Sequence, residues 1–138
     1  MQFSSRLSIA VHTLLVIEYF KDQYKITSDF IASSVGVNPV IIRNTFVKLK
    51  AADLVEISGG RSGSINLKRS PEEITMLDIF RAVESDEELF HLNDHANLNC
   101  PVGKQVNKIL EKNLVEVKRN FENDLNKITL KNFLDNLK

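Results

Sequence analysis

The only cysteine in the chain, Cys100, stands in the stretch NLNCPVGKQV, directly before Pro101 and the start of a long helical pattern. A thiol in that position can ligate a metal, be oxidised, or simply fill space. His91 and His95 lie upstream at four-residue spacing, so three nitrogen and sulfur donors are within one polar segment. An enzyme would use Cys100 as nucleophile with one of those histidines as base. Against that stands the lack of an oxyanion-hole motif, of a glycine-rich phosphate loop and of a third group to orient the base. A helix N-terminus favours the thiolate through its dipole, which makes Cys100 a candidate redox sensor that can go to a sulfenic acid or a mixed disulfide. An ordinary cysteine kept reduced in a cell accounts for the same residue.

A second group of residues suits a different chemistry. Asn38, Arg43 and Asn44 cluster in NPVIIRN, and Arg61 sits in the glycine-serine run SGGRSGS. Amides and guanidinium groups at the start of a helix can meet base edges. A basic, glycine-rich tip lets backbone approach closely and places a guanidinium in a minor groove.

The elements that must position these residues follow from periodicity. The apolar stretch from about Ser5 to Phe20 has Leu7, Ala10, Leu14 and Ile17 on one face, with Val11, Leu15 and Val16 beside it. A stripe that wide predicts a core helix buried on more than one side. His12 and Glu18 inside it, and its short length, argue against a signal peptide or a membrane span. His12 itself is expected to be packed or hydrogen-bonded. Thr27 or Ser28 caps a short second helix that ends at Gly36. Asn38 followed by Pro39 then opens a third helix, running to about Ala52, with Ile42, Thr45, Phe46 and Leu49 inward.

After Asp53, LVEIS and INL alternate around the glycine-serine run, which predicts a β-hairpin with a basic tip. Thr75 and Asp78 form a capping pair, and Ile74 and Ile79 are spaced for a hydrophobic staple at the start of a fourth helix, Met76 to about Glu84. A polar loop follows. Val102, Val106, Ile109 or Leu110, Leu114, Val117, Phe121, Leu125 and Ile128 then recur every three or four residues. One helix of about 25 residues would be roughly 38 Å long. A narrow stripe on so long a helix predicts a partner helix, from a second copy or from the chain's own first helix. The tail TLKNFLDNLK reads as a short helix whose partner the pattern does not name.

Composition fits a single domain. The chain has 138 residues, 43% hydrophobic and 26% charged, and one cysteine cannot make an internal disulfide, which points to the cytoplasm. Net charge is zero, but residues 1–69 hold nine Lys or Arg against five Asp or Glu, a net of +4, and residues 70–138 hold nine against thirteen, a net of −4. The first half is the one expected to meet an anion. Three helices followed by a basic-tipped hairpin describe a winged helix-turn-helix: mainly α, with a small β-hairpin wing and a long C-terminal dimerisation helix. The predicted organisation is a DNA-binding domain at 1–84, a loop at 85–100, and the dimerisation helix with its tail at 101–138.

The run SVGVNPVIIRNTFVKLKAADLVEISGGRSGSINLKR, with SPEEITMLDIFRAVE after it, resembles the Rrf-two family of bacterial winged-helix transcription regulators. The likeness extends from residue 1 to about residue 125 and is most specific at Leu49, Ala52, Leu54 and Val55 and in the EITMLDI–AVE segment. It implies a homodimeric repressor of a promoter, reading DNA with Asn38, Pro39, Val40, Ile41, Arg43 and Asn44 and with the wing at Gly59 to Gly63. Two positions depart from the family pattern: Arg43 stands where an acid or amide is common, and Arg61 follows Gly59 and Gly60 instead of preceding them. Iron–sulfur members carry three cysteines before the long helix. Cys100 occupies the last of those places, while Asp94 and Glu88 lie six and twelve residues upstream. One thiolate cannot hold a cluster that needs about four ligands, so no iron–sulfur cofactor is expected.

The expected DNA-facing set is therefore Ser28, Asn38, Pro39, Val40, Ile41, Arg43, Asn44, Lys48, Gly59, Gly60, Arg61 and Ser62. The expected dimer stripe is Val102, Val106, Ile109, Leu110, Leu114, Val117 and Phe121. The partners are double-stranded DNA and a second copy of the chain, with no membrane and with a redox or small-molecule signal of unspecified identity. A winged helix can also serve as a protein-interaction module that never touches a promoter, and the neutral total charge permits that alternative.

Overall fold

A computed structural model describes residues 5–58, 64–84 and 90–137. The helices and strands run α1 (Arg6–Phe20), α2 (Ser28–Val35), α3 (Pro39–Ala51), β1 (Val55–Ser58), β2 (Ser64–Leu67), α4 (Met76–Val83), α5 (Pro101–Asn126) and α6 (Leu130–Asn136). The fold is a winged helix-turn-helix with a long C-terminal helix.

α1 is the central element. Its breadth of apolar residues is used on several sides: Ala10, Leu14 and Ile17 are all but fully buried, and α2, α3, α4, α6 and β2 all touch it. Thr13 is buried in the same helix and returns its hydroxyl to the carbonyl of Ile9 at 2.7 Å, so no polar hydrogen is stranded there. Ile31, Ile42, Leu49, Leu54, Val55, Ile74 and Ile79 complete the core from the other elements.

The two strands pair antiparallel, with Val55 opposite Leu67 and Ser58 opposite Ser64. Val55 and Ile65 turn inward and seal the hairpin onto the helices. α4 begins with the capping box foreseen from the pattern. The Thr75 hydroxyl accepts from the N–H of Asp78 at 3.1 Å, and the Asp78 carboxylate accepts from the N–H of Thr75 at 3.0 Å. Ile74 and Ile79, either side of that cap, are both fully buried.

α5 is 26 residues long and has no buried residue. It touches the head at α4, where Phe80 and Phe121 meet edge to face at 5.6 Å and Arg81 pairs with Glu122 at 3.1 Å. α6 turns back and lies on α1, with Leu130 fully buried. The tail whose partner was unnamed in the pattern thus completes the head's core.

Candidate nucleic-acid interface

The turn between α2 and α3 is built from local capping chemistry. Thr27 caps α2 by accepting the N–H of Phe30 at 3.1 Å. α2 stops at Gly36, whose φ of +80° suits glycine, and the amides of Gly36 and Val37 both return to the carbonyl of Ala32. Asn38 then starts α3: its side-chain carbonyl accepts the N–H of Val40 at 2.9 Å, and Pro39 fills the first helical position. The two helices meet at a bend of 110°, within the range of a helix-turn-helix.

This geometry separates the two faces of α3. Ile42, Phe46 and Leu49 point into the core. Val40, Ile41, Arg43, Asn44, Val47, Lys48 and Lys50 are exposed. Pro39 is half-buried, as is Ser28 at the first turn of α2. Arg43, Lys48 and Lys50 make no ion pair with any described residue. Among the described residues, three cations thus stand unneutralised on a helix that carries no acidic residue of its own. Of the polar residues singled out from the sequence, Asn38 has its carbonyl committed to the cap. Asn44 and Arg43 have their side chains in solvent.

α3 leads into the wing through Asp53, which adopts a left-handed φ of +59°. Its carboxylate takes an ion pair from Lys68 at 3.0 Å across the base of the hairpin. Asn66 donates to the Ser58 hydroxyl at 2.9 Å and holds the outer end of the pairing. The tip expected to carry Gly59, Gly60, Arg61 and Ser62 lies outside the described residues.

Cys100 is the N-cap residue of α5 and is exposed. Its sulfur makes no capping hydrogen bond as a thiol. The amides of Gly103 and Val102 in the first turn favour the thiolate and move its pKa below the ordinary value. His91 and His95 are exposed in the preceding loop. Among the described residues no three His, Cys, Asp or Glu side chains come together to hold a metal.

Of the stripe on α5, Val102, Ile109, Leu110 and Val117 are exposed, while Val106 and Leu114 are half-buried. Phe121 turns toward Phe80 of its own chain. Pro101, Val102, Val106, Ile109 and Leu110 line a shallow groove of about 300 Å³. A larger apolar groove, about 780 Å³, runs along α1 between Leu7, Val11, Leu15 and Tyr19 and, from the C-terminal segment, Phe133 of α6 and Leu137 just after it. Periodicity alone did not reveal this groove, because it depends on where α6 returns. His12 sits at its edge and shares a hydrogen bond with Ser34 at 2.9 Å, as expected for a histidine with a structural partner.

A family model named Rrf2, described as an iron-dependent transcriptional regulator, matches residues 3–136. YwnA of Bacillus subtilis (strain 168), provisionally described as an HTH-type transcriptional regulator, is 37% identical over 134 residues, spanning 97% of this chain and 98% of YwnA. A crystal structure of a provisionally assigned DNA-binding protein superposes with a TM-score of 0.75 at 34% identity, covering 94% of this chain and 99% of the other. CymR, the global cysteine regulator of B. subtilis, shares the fold with a TM-score of 0.72 at 15% identity, over 100% of this chain and 99% of CymR. The iron in the family description finds no matching donor set in the described residues. Cys100 is the only thiol in the chain, and among the described residues no three His, Cys, Asp or Glu side chains gather around a common point. These residues do not fit an iron–sulfur cluster.

Proposed function

Because this chain belongs to the Rrf2 (Rrf-two) family of transcriptional regulators, and is therefore a regulator and not an enzyme, we propose that it is a sequence-specific DNA-binding repressor. It acts as a homodimer in the cytoplasm. The observation that carries the proposal is the solvent face of α3, where Arg43, Asn44 and Lys48 stand exposed on a helix set at 110° to α2. Such a helix enters a major groove about 12 Å wide, and its cations neutralise phosphates along the walls. Asn44 and Arg43 read base edges; Ser28, Asn38 and Pro39 sit against the backbone; Gly59, Gly60, Arg61 and Ser62 reach the neighbouring minor groove.

The apolar stripe of α5 supports the homodimer. Val102, Ile109, Leu110 and Val117 are too many exposed aliphatic residues on one helix for a surface with no partner. A second copy offers the same stripe, which an isologous interface needs. Cys100 lies at the start of α5, at the far end of the helix from the Phe80–Phe121 contact and next to Val102 of the stripe, so oxidation of its favoured thiolate is a route by which a redox signal alters the pairing of the two copies.

The test is selection of bound duplexes from a random-sequence pool, followed by titration of the recovered duplex at two salt concentrations before and after mild peroxide, with Cys100→Ser alongside. A two-fold symmetric consensus and salt-dependent affinity are expected. Loss of binding on oxidation in the wild type alone assigns the sensor to Cys100. Binding indifferent to sequence counts against the repressor.

A further inference from the structure

Successive residues of an α-helix are about 100° apart, so the row opposite the buried Ile42, Phe46 and Leu49 consists of residues 40, 44, 47 and 51. In this chain that row reads Val40, Asn44, Val47, Ala51. The row faces solvent, yet it carries no charge. Val40 is 49% exposed and Val47 is 66% exposed. A helix that only faced water would place its lysines and glutamates there. Here the cations flank the row instead, with Arg43 on one side and Lys48 on the other, and neither has an ion-pair partner among the described residues.

An apolar ridge between two unpaired cations is complementary to one kind of surface: a groove with anionic walls and an apolar feature on its floor. The major groove of DNA has that form, and its apolar feature is the C5 methyl of thymine. Building on the DNA-binding reading proposed above, we infer that Val40 and Val47 read thymine methyl groups, with Asn44 between them taking an adenine. Seven residues of helix rise about 10 Å, close to three base-pair steps of about 3.4 Å. Each half-site therefore holds two contacted thymines about three base pairs apart, with the adenine read by Asn44 between them. Val47 is a specificity-determining residue that base-edge hydrogen-bonding arguments pass over, since it has nothing to donate or accept.

Uracil pairs as thymine does and lacks only the methyl, so the duplex recovered from the random pool is resynthesised with uracil at single half-site positions. Loss of each contacted methyl lowers affinity about fourfold, and loss of both in one half-site roughly fifteenfold. Val40→Ala and Val47→Ala each become blind to one of the two substitutions. Both residues are exposed, so the variants fold, and the wild-type uracil measurement does not depend on them. If the wild type binds the uracil duplex as tightly as the thymine duplex, the methyl reading is wrong and the repressor proposal stands. The same holds if uracil weakens wild type and both alanine variants alike, since other residues then read the methyls. If the pool yields no preferred sequence, the DNA-binding reading fails and this inference goes with it, leaving the protein-interaction module.

Discussion

The backbone N–H of Leu130 donates to the carbonyl of Ile74 at 2.8 Å, and the Leu130 side chain is fully buried. The N–H of Met76 returns the favour to Ile128 at 2.8 Å, so Thr75 and Thr129 form an isolated antiparallel bridge. The segment after α5 is thus stitched to the start of α4, beside the Thr75–Asp78 capping box. Removing a buried leucine side chain leaves a cavity and costs about 2–5 kcal/mol. Leu130→Ala is therefore expected to destabilise the whole head by that amount, measured by urea denaturation. A loss under about 0.5 kcal/mol, the level of ordinary surface changes, would mean that α6 is a passive tail.

Asn38 has two separable tasks. Its carbonyl caps α3, and it stands where the proposed DNA backbone approaches. Asn38→Ala removes the cap and costs about 0.5–2 kcal/mol of stability. Asn38→Asp keeps an acceptor for the Val40 amide and adds a negative charge, so stability stays close to wild type while DNA affinity falls, most at low salt. Equal affinities for Asn38→Asp and wild type would place the α3 N-terminus away from phosphate.

Lys48 and Arg43 differ in what they are expected to read. Lys48→Ala weakens binding to all duplexes alike and lowers the salt slope by about one. Arg61→Ala on the wing is expected to act in the same way. Arg43→Ala additionally relaxes discrimination at one base pair, by about 1–3 kcal/mol if the guanidinium takes a guanine. Competition titrations against single-position operator variants separate the two patterns. A uniform loss for Arg43→Ala would reassign it to phosphate.

What was legible in the sequence was whatever local chemistry dictates. Asn38–Pro39 marks the start of α3 because both residues are specific to a helix's first turn. Thr75 and Asp78 mark α4 because a capping box spans four consecutive residues. The glycine-serine run between alternating segments marks the hairpin, and the wide stripe of α1 signals a helix touched on several sides. The fold class follows from these together, and the family from the resemblance of the SVGVNPV and EITMLDI–AVE runs. The docking of α6 was not legible, because backbone hydrogen bonds between residues 74–76 and 128–130 leave no trace in periodicity. The groove along α1 was hidden for the same reason. The uncharged row on α3 was present in the spacing of residues 40, 44, 47 and 51. Its meaning depends on which face is buried, and the positions of Ile42, Phe46 and Leu49 in the fold decide that.

Cys100 supplies the last prediction. The first-turn amides of Gly103 and Val102 stabilise its thiolate, so its pKa lies below the ordinary thiol value of 9.0. The sign follows directly: between the lowered and the ordinary pKa, the folded chain holds a thiolate where an unfolded chain holds a thiol. The rate of alkylation by iodoacetamide, followed against pH, should therefore have its midpoint at lower pH in the native protein than in urea. Gly103 offers a control, since a Cβ there would run into the Asn97 carbonyl. Gly103→Ala must shift that loop or the first turn of α5, and the native midpoint is expected to move back toward the denatured one. A native midpoint at or above the denatured value would show that the helix terminus does not activate the thiol, and would leave Cys100 as an ordinary surface cysteine.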